Sequence, residues 1–95
     1  MTADESVQPG RLVGSVKGRD RGRFYLVIGA ADSLFALVVD GEGRKVDNPK
    51  RKNLRHLQFY DSLAGEVAVK VGAGKRVTNM DVRKAIKSLV EALQN

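Results

Sequence analysis

The sequence of 95 residues contains no cysteine, no tryptophan and only one histidine. Without cysteine there is no disulfide framework and no thiolate metal site, and a secreted domain of this size usually needs such links. The longest apolar run, residues 34–39, is far too short to span a bilayer. Residues 1–9 are polar and acidic, unlike a secretory signal. We therefore expect a cytoplasmic location and no membrane-spanning segment.

The residues that catalysis or metal binding would need are also missing. The single histidine, His56, and the scattered carboxylates provide neither a metal-ligand set nor an acid/base pair with an orienting partner. Residues 72–75 resemble the end of a phosphate-binding loop, but Arg76 stands where such a loop requires Ser or Thr, which favours a flexible turn. We expect a protein that is not an enzyme, with no cofactor, no metal and no small-molecule substrate.

What the sequence does have is positive charge. The formal net charge is +6, and residues 11–58 carry all of this excess because the rest of the chain is balanced. A chain this basic attracts anionic partners, whether phosphates, lipid headgroups or acidic proteins.

The first part of the chain reads as short strands separated by turn residues, and its length allows one domain with an extension. The predicted strands cover residues 11–17, 23–29, 34–40 and 44–46, and residues 54–58 return as a last short strand or a single helical turn. Both faces of the second and third strands are apolar, which indicates a sheet covered on two sides. The pattern predicts a mostly β fold, a small SH3-like barrel of about five strands over residues 10–58.

The end of the chain changes to helical spacing, which predicts an amphipathic helix over residues 78–95. Thr78 is placed to cap it, with Asp81 in capping-box position and Val77 and Val82 as a hydrophobic staple. Its apolar stripe consists of Val82, Ile86, Leu89, Val90 and Leu93. The connecting residues 59–77 fit a helix or a strand, and we favour a short helix. Residues 1–9 are predicted to be disordered.

Residues 18–22, with the sequence GRDRG, form a basic turn between two glycines at the tip of a predicted hairpin. Such a turn directs its cations outward and lets backbone N–H groups point at a phosphate. The cations are Lys17, Arg19, Arg21 and Arg23. The alternative interpretation is an ordinary solvated hairpin.

A second basic stretch, residues 49–56, follows an Asn-Pro turn and includes residues 50–53 as a predicted cationic loop. Its candidate phosphate-binding residues are Lys50, Arg51, Lys52, Asn53 and Arg55. The alternative is a solubilising or nuclear-localisation-like run. The aromatic residues lie within apolar strands, which favours core positions and hence recognition of folded RNA by shape and phosphate rather than of a single strand by sequence.

These residues resemble a known motif. The segment in which Gly18 and Gly22 bracket a basic and acidic triplet, between two apolar strands, is similar to the KOW motif. It departs from many KOW motifs at Phe24 and Tyr25, where those motifs place another glycine. Residues 18–29, 34–46 and 48–58 together look like the eukaryotic and archaeal large-subunit ribosomal protein family fourteen-e and its small bacterial relatives. The resemblance implies that both basic stretches contact RNA, with Arg44 and Lys45 between them.

We therefore expect an RNA-binding module, ribosomal or ribosome-associated, whose partners are ribosomal RNA and ribosomal proteins. A protein-interaction adapter is the alternative, because SH3-like barrels also bind proteins and the helical stripe could contact a partner. Attachment to an anionic membrane surface is a third reading, disfavoured because the helix lacks the aromatic face common in membrane-surface helices.

Overall fold

The computed structural model describes residues 7–94, which form five strands and two helices. In chain order these are β1 (Arg11–Ser15), β2 (Phe24–Ala30), β3 (Phe35–Val39), β4 (Lys50–Asn53), β5 (Leu57–Leu63), α1 (Gly65–Gly72) and α2 (Asn79–Leu93). The predicted mostly β fold of about five strands with a C-terminal helix is confirmed. Of the predicted disordered segment, residues 1–6 lie outside the described residues, whereas Val7 packs against the core.

The five strands form one antiparallel sheet in the order β4-β3-β2-β1-β5. The register shifts between Arg11 and Val13 on β1 and between Val27 and Gly29 on β2. Such irregularities bend a strand and increase its twist. A single 3₁₀ turn, Leu54–His56, joins β4 to β5, the two edge strands. This strand order and the curled sheet are those of a small SH3-like barrel.

The sheet is buried on both faces, as predicted from its two-sided apolar strands. The inner cluster consists of Val13, Tyr25, Val27, Ala36, Val38 and Leu57. The outer cluster, beneath the helices, consists of Leu12, Leu26, Val39, Ala64, Val67 and Val82. Successive residues of β1 and β2 alternate between the two clusters, because neighbouring side chains of a strand point to opposite faces.

Helix α2 begins with the predicted capping box. The Thr78 hydroxyl accepts a hydrogen bond of 3.0 Å from the Asp81 N–H, and the Asp81 carboxylate accepts one of 3.0 Å from the Thr78 N–H. Of the apolar stripe, Val82 is fully buried, and Ile86, Leu89 and Val90 pack against the outer cluster. Leu93, the last residue of the stripe, is exposed. Most of the stripe therefore packs on its own domain, which leaves less helical surface for the adapter alternative.

Two contacts fix α2 further. The Arg83 guanidinium donates to the Gly41 carbonyl at 2.7 Å, and the Lys70 ammonium of α1 lies 2.8 Å from the Asp81 carboxylate. The predicted short helix between the barrel and α2 is confirmed as α1. Over residues 7–94, no helix is long and apolar enough to cross a membrane.

Three local predictions are corrected. Residues 44–46 do not form a strand, because the Asp40 side chain accepts the Glu42 and Arg44 N–H groups, both at 2.9 Å, and closes a turn. Residues 50–53 are not a loop; they are β4, which pairs along its whole length with residues 35–38 of β3. The last strand runs to Leu63 because it pairs with β1 as far as Arg11, so the sheet extends past the boundary predicted at residue 58.

Candidate nucleic-acid interface

The predicted RNA-contacting residues concentrate at one end of the sheet, where β1 and β3 end and β2 and β4 begin. Because the strands are antiparallel, residues 16–23 and 40–49 both leave the sheet at this end. We call it the basic end. Its cations are Lys17, Arg19, Arg21, Arg23, Arg44 and Lys45.

The hairpin loop at the basic end is closed by backbone hydrogen bonds. The Gly22 N–H donates to the Ser15 carbonyl at 2.8 Å, and the Ser15 N–H donates to the Arg23 carbonyl at 2.9 Å. Gly18 and Gly22 have φ angles of 91° and 93°, a backbone conformation that residues with a Cβ rarely adopt. The two bracketing glycines of the sequence motif thus set the direction of the chain at both sides of the turn.

The middle residue of the turn, Asp20, points inward rather than into solvent. Its carboxylate accepts hydrogen bonds from the Ser15 hydroxyl at 2.8 Å and from the Tyr25 hydroxyl at 2.9 Å. It also lies 3.0 Å from the Lys50 ammonium and 2.9 Å from the Lys52 ammonium. Asp20 therefore connects the hairpin loop directly to β4.

The environment of this cluster shifts two pKa values. Burial opposes the charged form of Asp20, but the hydrogen bonds from Lys52, Lys50, Ser15 and Tyr25 outweigh it and hold the pKa of the carboxyl well below its usual range. Burial, together with the hydrogen bond donated to Asp20, raises the pKa of Tyr25 to about 12. The carboxylate is thus ionised and the phenol protonated at neutral pH, which is the pairing that their hydrogen bond requires.

Several of the predicted contact residues have structural partners. Lys52 is only 7% exposed, and its ammonium also donates to the Lys17 carbonyl at 3.2 Å. The Asn53 side chain caps the 3₁₀ turn by accepting the Arg55 N–H at 2.9 Å. Arg51 lies on the other face of β4, 2.9 Å from the Asp32 carboxylate, with its guanidinium 4.0 Å from the centre of the Phe35 ring. These positions stabilise β4.

Other predicted residues remain available to an external anion. Within residues 7–94, no ion pair or side-chain hydrogen bond holds the exposed side chains of Lys17, Arg19, Arg21, Lys45 and Arg55. Arg44 is half-buried. Arg23 is exposed but lies 3.5 Å from the Asp40 carboxylate. The Val16 N–H donates to the His56 carbonyl at 3.0 Å, so the turn that carries Arg55 adjoins the hairpin loop.

The two basic stretches seen in the sequence are therefore one unit: β4 holds the hairpin loop through Asp20. Sequence reasoning missed the roles of Asp20, Ser15 and Tyr25. One available signal was the single acidic residue at the centre of a basic turn, and a second was the Lys50 and Lys52 spacing of two, which places both side chains on one face of a strand. Within the described part of the chain, no group of three or more histidine or acidic residues could hold a metal ion.

The chain resembles a known bacterial protein. It is 41% identical over 54 residues to "Putative ribosome-binding protein YbzG" of Bacillus subtilis (strain 168), an alignment that covers 57% of this chain and 73% of that protein. No protein-family model matches the chain. Since the alignment spans more than two thirds of the Bacillus protein at this identity, the chain belongs to the family of YbzG.

Proposed function

We propose that this protein is a cytoplasmic, non-enzymatic, KOW-type RNA-binding module that associates with the ribosome by contacting the phosphates of structured RNA. The observation that carries the proposal is the arrangement of the hairpin loop. Arg19 and Arg21 are exposed on either side of Asp20, which points inward and is held by four donors. The loop thus presents two cations from a rigid support.

The mechanism is electrostatic. Each cation that neutralises a phosphate releases counterions condensed on the RNA, which supplies binding free energy that falls as salt rises. Lys17 and Lys45 add two cations at the same end of the sheet, and Arg55 adjoins it. Because these contacts reach phosphates rather than base edges, they set the position of the protein on folded RNA. The name of the related Bacillus protein supports a ribosomal partner.

The test is a titration of a fluorescent ribosomal RNA helix with the full chain at several salt concentrations. Arg19→Ala combined with Arg21→Ala is expected to weaken binding and to reduce the slope of log affinity against log salt by roughly 2, about one unit for each phosphate contact. The matched control is Lys75→Ala with Lys84→Ala, which removes two exposed cations that lie outside the basic end. An unchanged slope in the hairpin variant, or an equal loss in the control, contradicts the proposal.

Ribosome association is tested separately by sedimentation of the tagged protein with cell lysate on a sucrose gradient. We expect salt-sensitive migration with large ribosomal particles, lost in the Arg19→Ala and Arg21→Ala variant and retained in the Lys75→Ala and Lys84→Ala control. Migration as a free small protein under low salt contradicts the ribosomal partner.

A further inference from the structure

A shallow groove of about 280 Å³ lies on the outer face of the sheet, directly beside the hairpin loop. Its lining includes Gly14 of β1, Phe24 of β2, Gln58 and Tyr60 of β5, and Arg21 of the loop. The groove is smaller than the roughly 300–1,000 Å³ of ordinary small-molecule pockets. Its size and position therefore suit one flat group that is attached to a ligand already held by the loop.

The strand register explains how the groove forms. Gly14 pairs with Phe24 on one side and with Gln58 on the other, so these three positions lie side by side on one face of the sheet. Tyr60, two residues after Gln58, shares that face. Gly14 has no side chain, and a Cβ added there would lie 3.4 Å from the Tyr60 ring. The glycine thus leaves room for the ring across the floor of the groove.

The groove combines aromatic and polar groups. The rings of Phe24 and Tyr60 have their centres 5.8 Å apart, and both are only partly buried. Gln58 is exposed, and within residues 7–94 the Tyr60 hydroxyl has no hydrogen-bond partner. Aromatic surface with nearby amide and hydroxyl groups is what stacks on a nucleobase and bonds its edge.

We propose that this groove receives one unpaired base of the RNA whose phosphates the hairpin loop holds. The base stacks on Tyr60 and Phe24, Gln58 bonds its edge, and Arg21 contacts the phosphate beside it. The inference rests on the proposed function and specifies the RNA: a helix interrupted by an extruded nucleotide rather than a continuous duplex.

A second, larger cleft near the basic end fits an anionic ligand less well than the groove at Gly14 does. It lies between the sheet and α2, and its cations, Arg23, Arg83 and Lys87, are matched by the acids Asp40, Glu42 and Glu91. The groove at Gly14 has a cation, Arg21, and no acidic side chain among its lining residues.

The experiment compares three short RNA probes with the same stem: fully paired, with a single bulged adenosine, and with an abasic ribose at the bulge. Wild-type protein is expected to bind the adenosine bulge about 5- to 150-fold more tightly than the abasic bulge, the range that one stacked base supplies. Tyr60→Leu, which keeps apolar bulk but removes the ring, should abolish that difference, and Tyr60→Phe should retain most of it.

Phe59→Leu is the matched control, because Phe59 is the neighbouring residue of β5 and packs against the inner cluster on the opposite face. It should leave the preference for the bulged adenosine intact. Equal, salt-sensitive affinity of wild type for all three probes overturns the groove inference and leaves the proposed function standing. Failure to bind any of the probes contradicts the proposed function itself.

Discussion

The Lys52 ammonium lies 2.9 Å from the Asp20 carboxylate, although the two residues are 32 positions apart in the sequence. Both side chains are about nine-tenths buried. This contact connects the tip of the first hairpin to the edge strand of the sheet. Asp20 and Lys52 therefore stabilise the fold, whereas their charged neighbours in the sequence, Arg19, Arg21 and Arg51, are exposed.

Asp20→Ala is expected to lower the free energy of unfolding by about 3–5 kcal/mol, because removing one partner of a buried ion pair leaves the other charge uncompensated. The Tyr25 hydroxyl and the Ser15 hydroxyl also lose their acceptor. Urea denaturation measures the change. The control is Asp47→Ala, which removes an exposed carboxylate from the loop between β3 and β4 and should shift stability by less than about 0.5 kcal/mol. Equal stability of the two variants contradicts the structural role of Asp20.

Lys52→Met separates the structural cation from the cations proposed to contact RNA. The ammonium is buried against Asp20, so its loss should leave the slope of log affinity against log salt unchanged. Arg21→Ala should reduce that slope by about 1. The titration used for the hairpin variants provides the measurement. A reduced slope in a Lys52→Met variant that keeps the wild-type fold contradicts the assignment of Lys52 as a purely structural cation.

Stability is expected to fall in acid through Asp81. The hydrogen bond from Lys70, followed by that from the Thr78 N–H, lowers the pKa of Asp81 to about 2 from an ordinary value of 3.8. A carboxyl with a lowered pKa in the folded state stabilises the protein above its unfolded pKa, and this contribution is lost as pH falls toward the folded value. The melting temperature should therefore decrease between about pH 4 and pH 2.

The variant to compare in this measurement of melting temperature against pH is Asp81→Asn. The variant should melt at a lower temperature than wild type at neutral pH, and the gap should narrow as pH falls through the same window. Part of the acid sensitivity should persist, because the pKa of Asp20 is also lowered. A gap that stays constant from neutral pH to about pH 2 contradicts this assignment.

Gly41→Ala is expected to loosen α2 from the barrel. Gly41 has a φ of 80°, and a Cβ there would lie 2.6 Å from the Asn79 carbonyl oxygen and 2.8 Å from Cγ of Arg83. The strained backbone and the steric overlap should together cost about 1–3 kcal/mol of stability. Gly43→Ala, in the same loop but with a distance of 4.0 Å to its nearest neighbour, is the control. Thermal unfolding that fails to distinguish the variants argues against close packing of α2.

Local patterns predicted the elements whose causes are local. The glycines around residues 19–21 marked the hairpin, and the Thr78 and Asp81 pair marked the start of α2, because turns and caps depend on a few neighbouring residues. The strand β4 was missed because Lys50–Asn53 has little strand propensity. It is held by pairing with β3 and by Asp20, and both partners are distant in sequence.

The residues of the candidate site could be predicted from the sequence, but their arrangement in space could not. Sequence alone grouped every cation of the two stretches as phosphate contacts, since residue type and charge do not distinguish the buried Lys52 from the exposed Arg55. The groove at Gly14 was equally hidden. It requires β1 to lie between β2 and β5 in a particular register, and register follows from packing of the whole sheet.

The inward position of Asp20 also affects how much conformational entropy the hairpin loop would lose on binding a ligand. A flexible basic loop would lose conformational freedom each time it met its ligand, and that loss would subtract from affinity. Here the backbone of the turn is held in the folded protein by the hydrogen bonds that the inward-pointing Asp20 accepts. Arginine side chains still lose rotamer freedom on contact, but the loop that carries them is already in its final shape. Association should therefore proceed without a slow rearrangement of the protein.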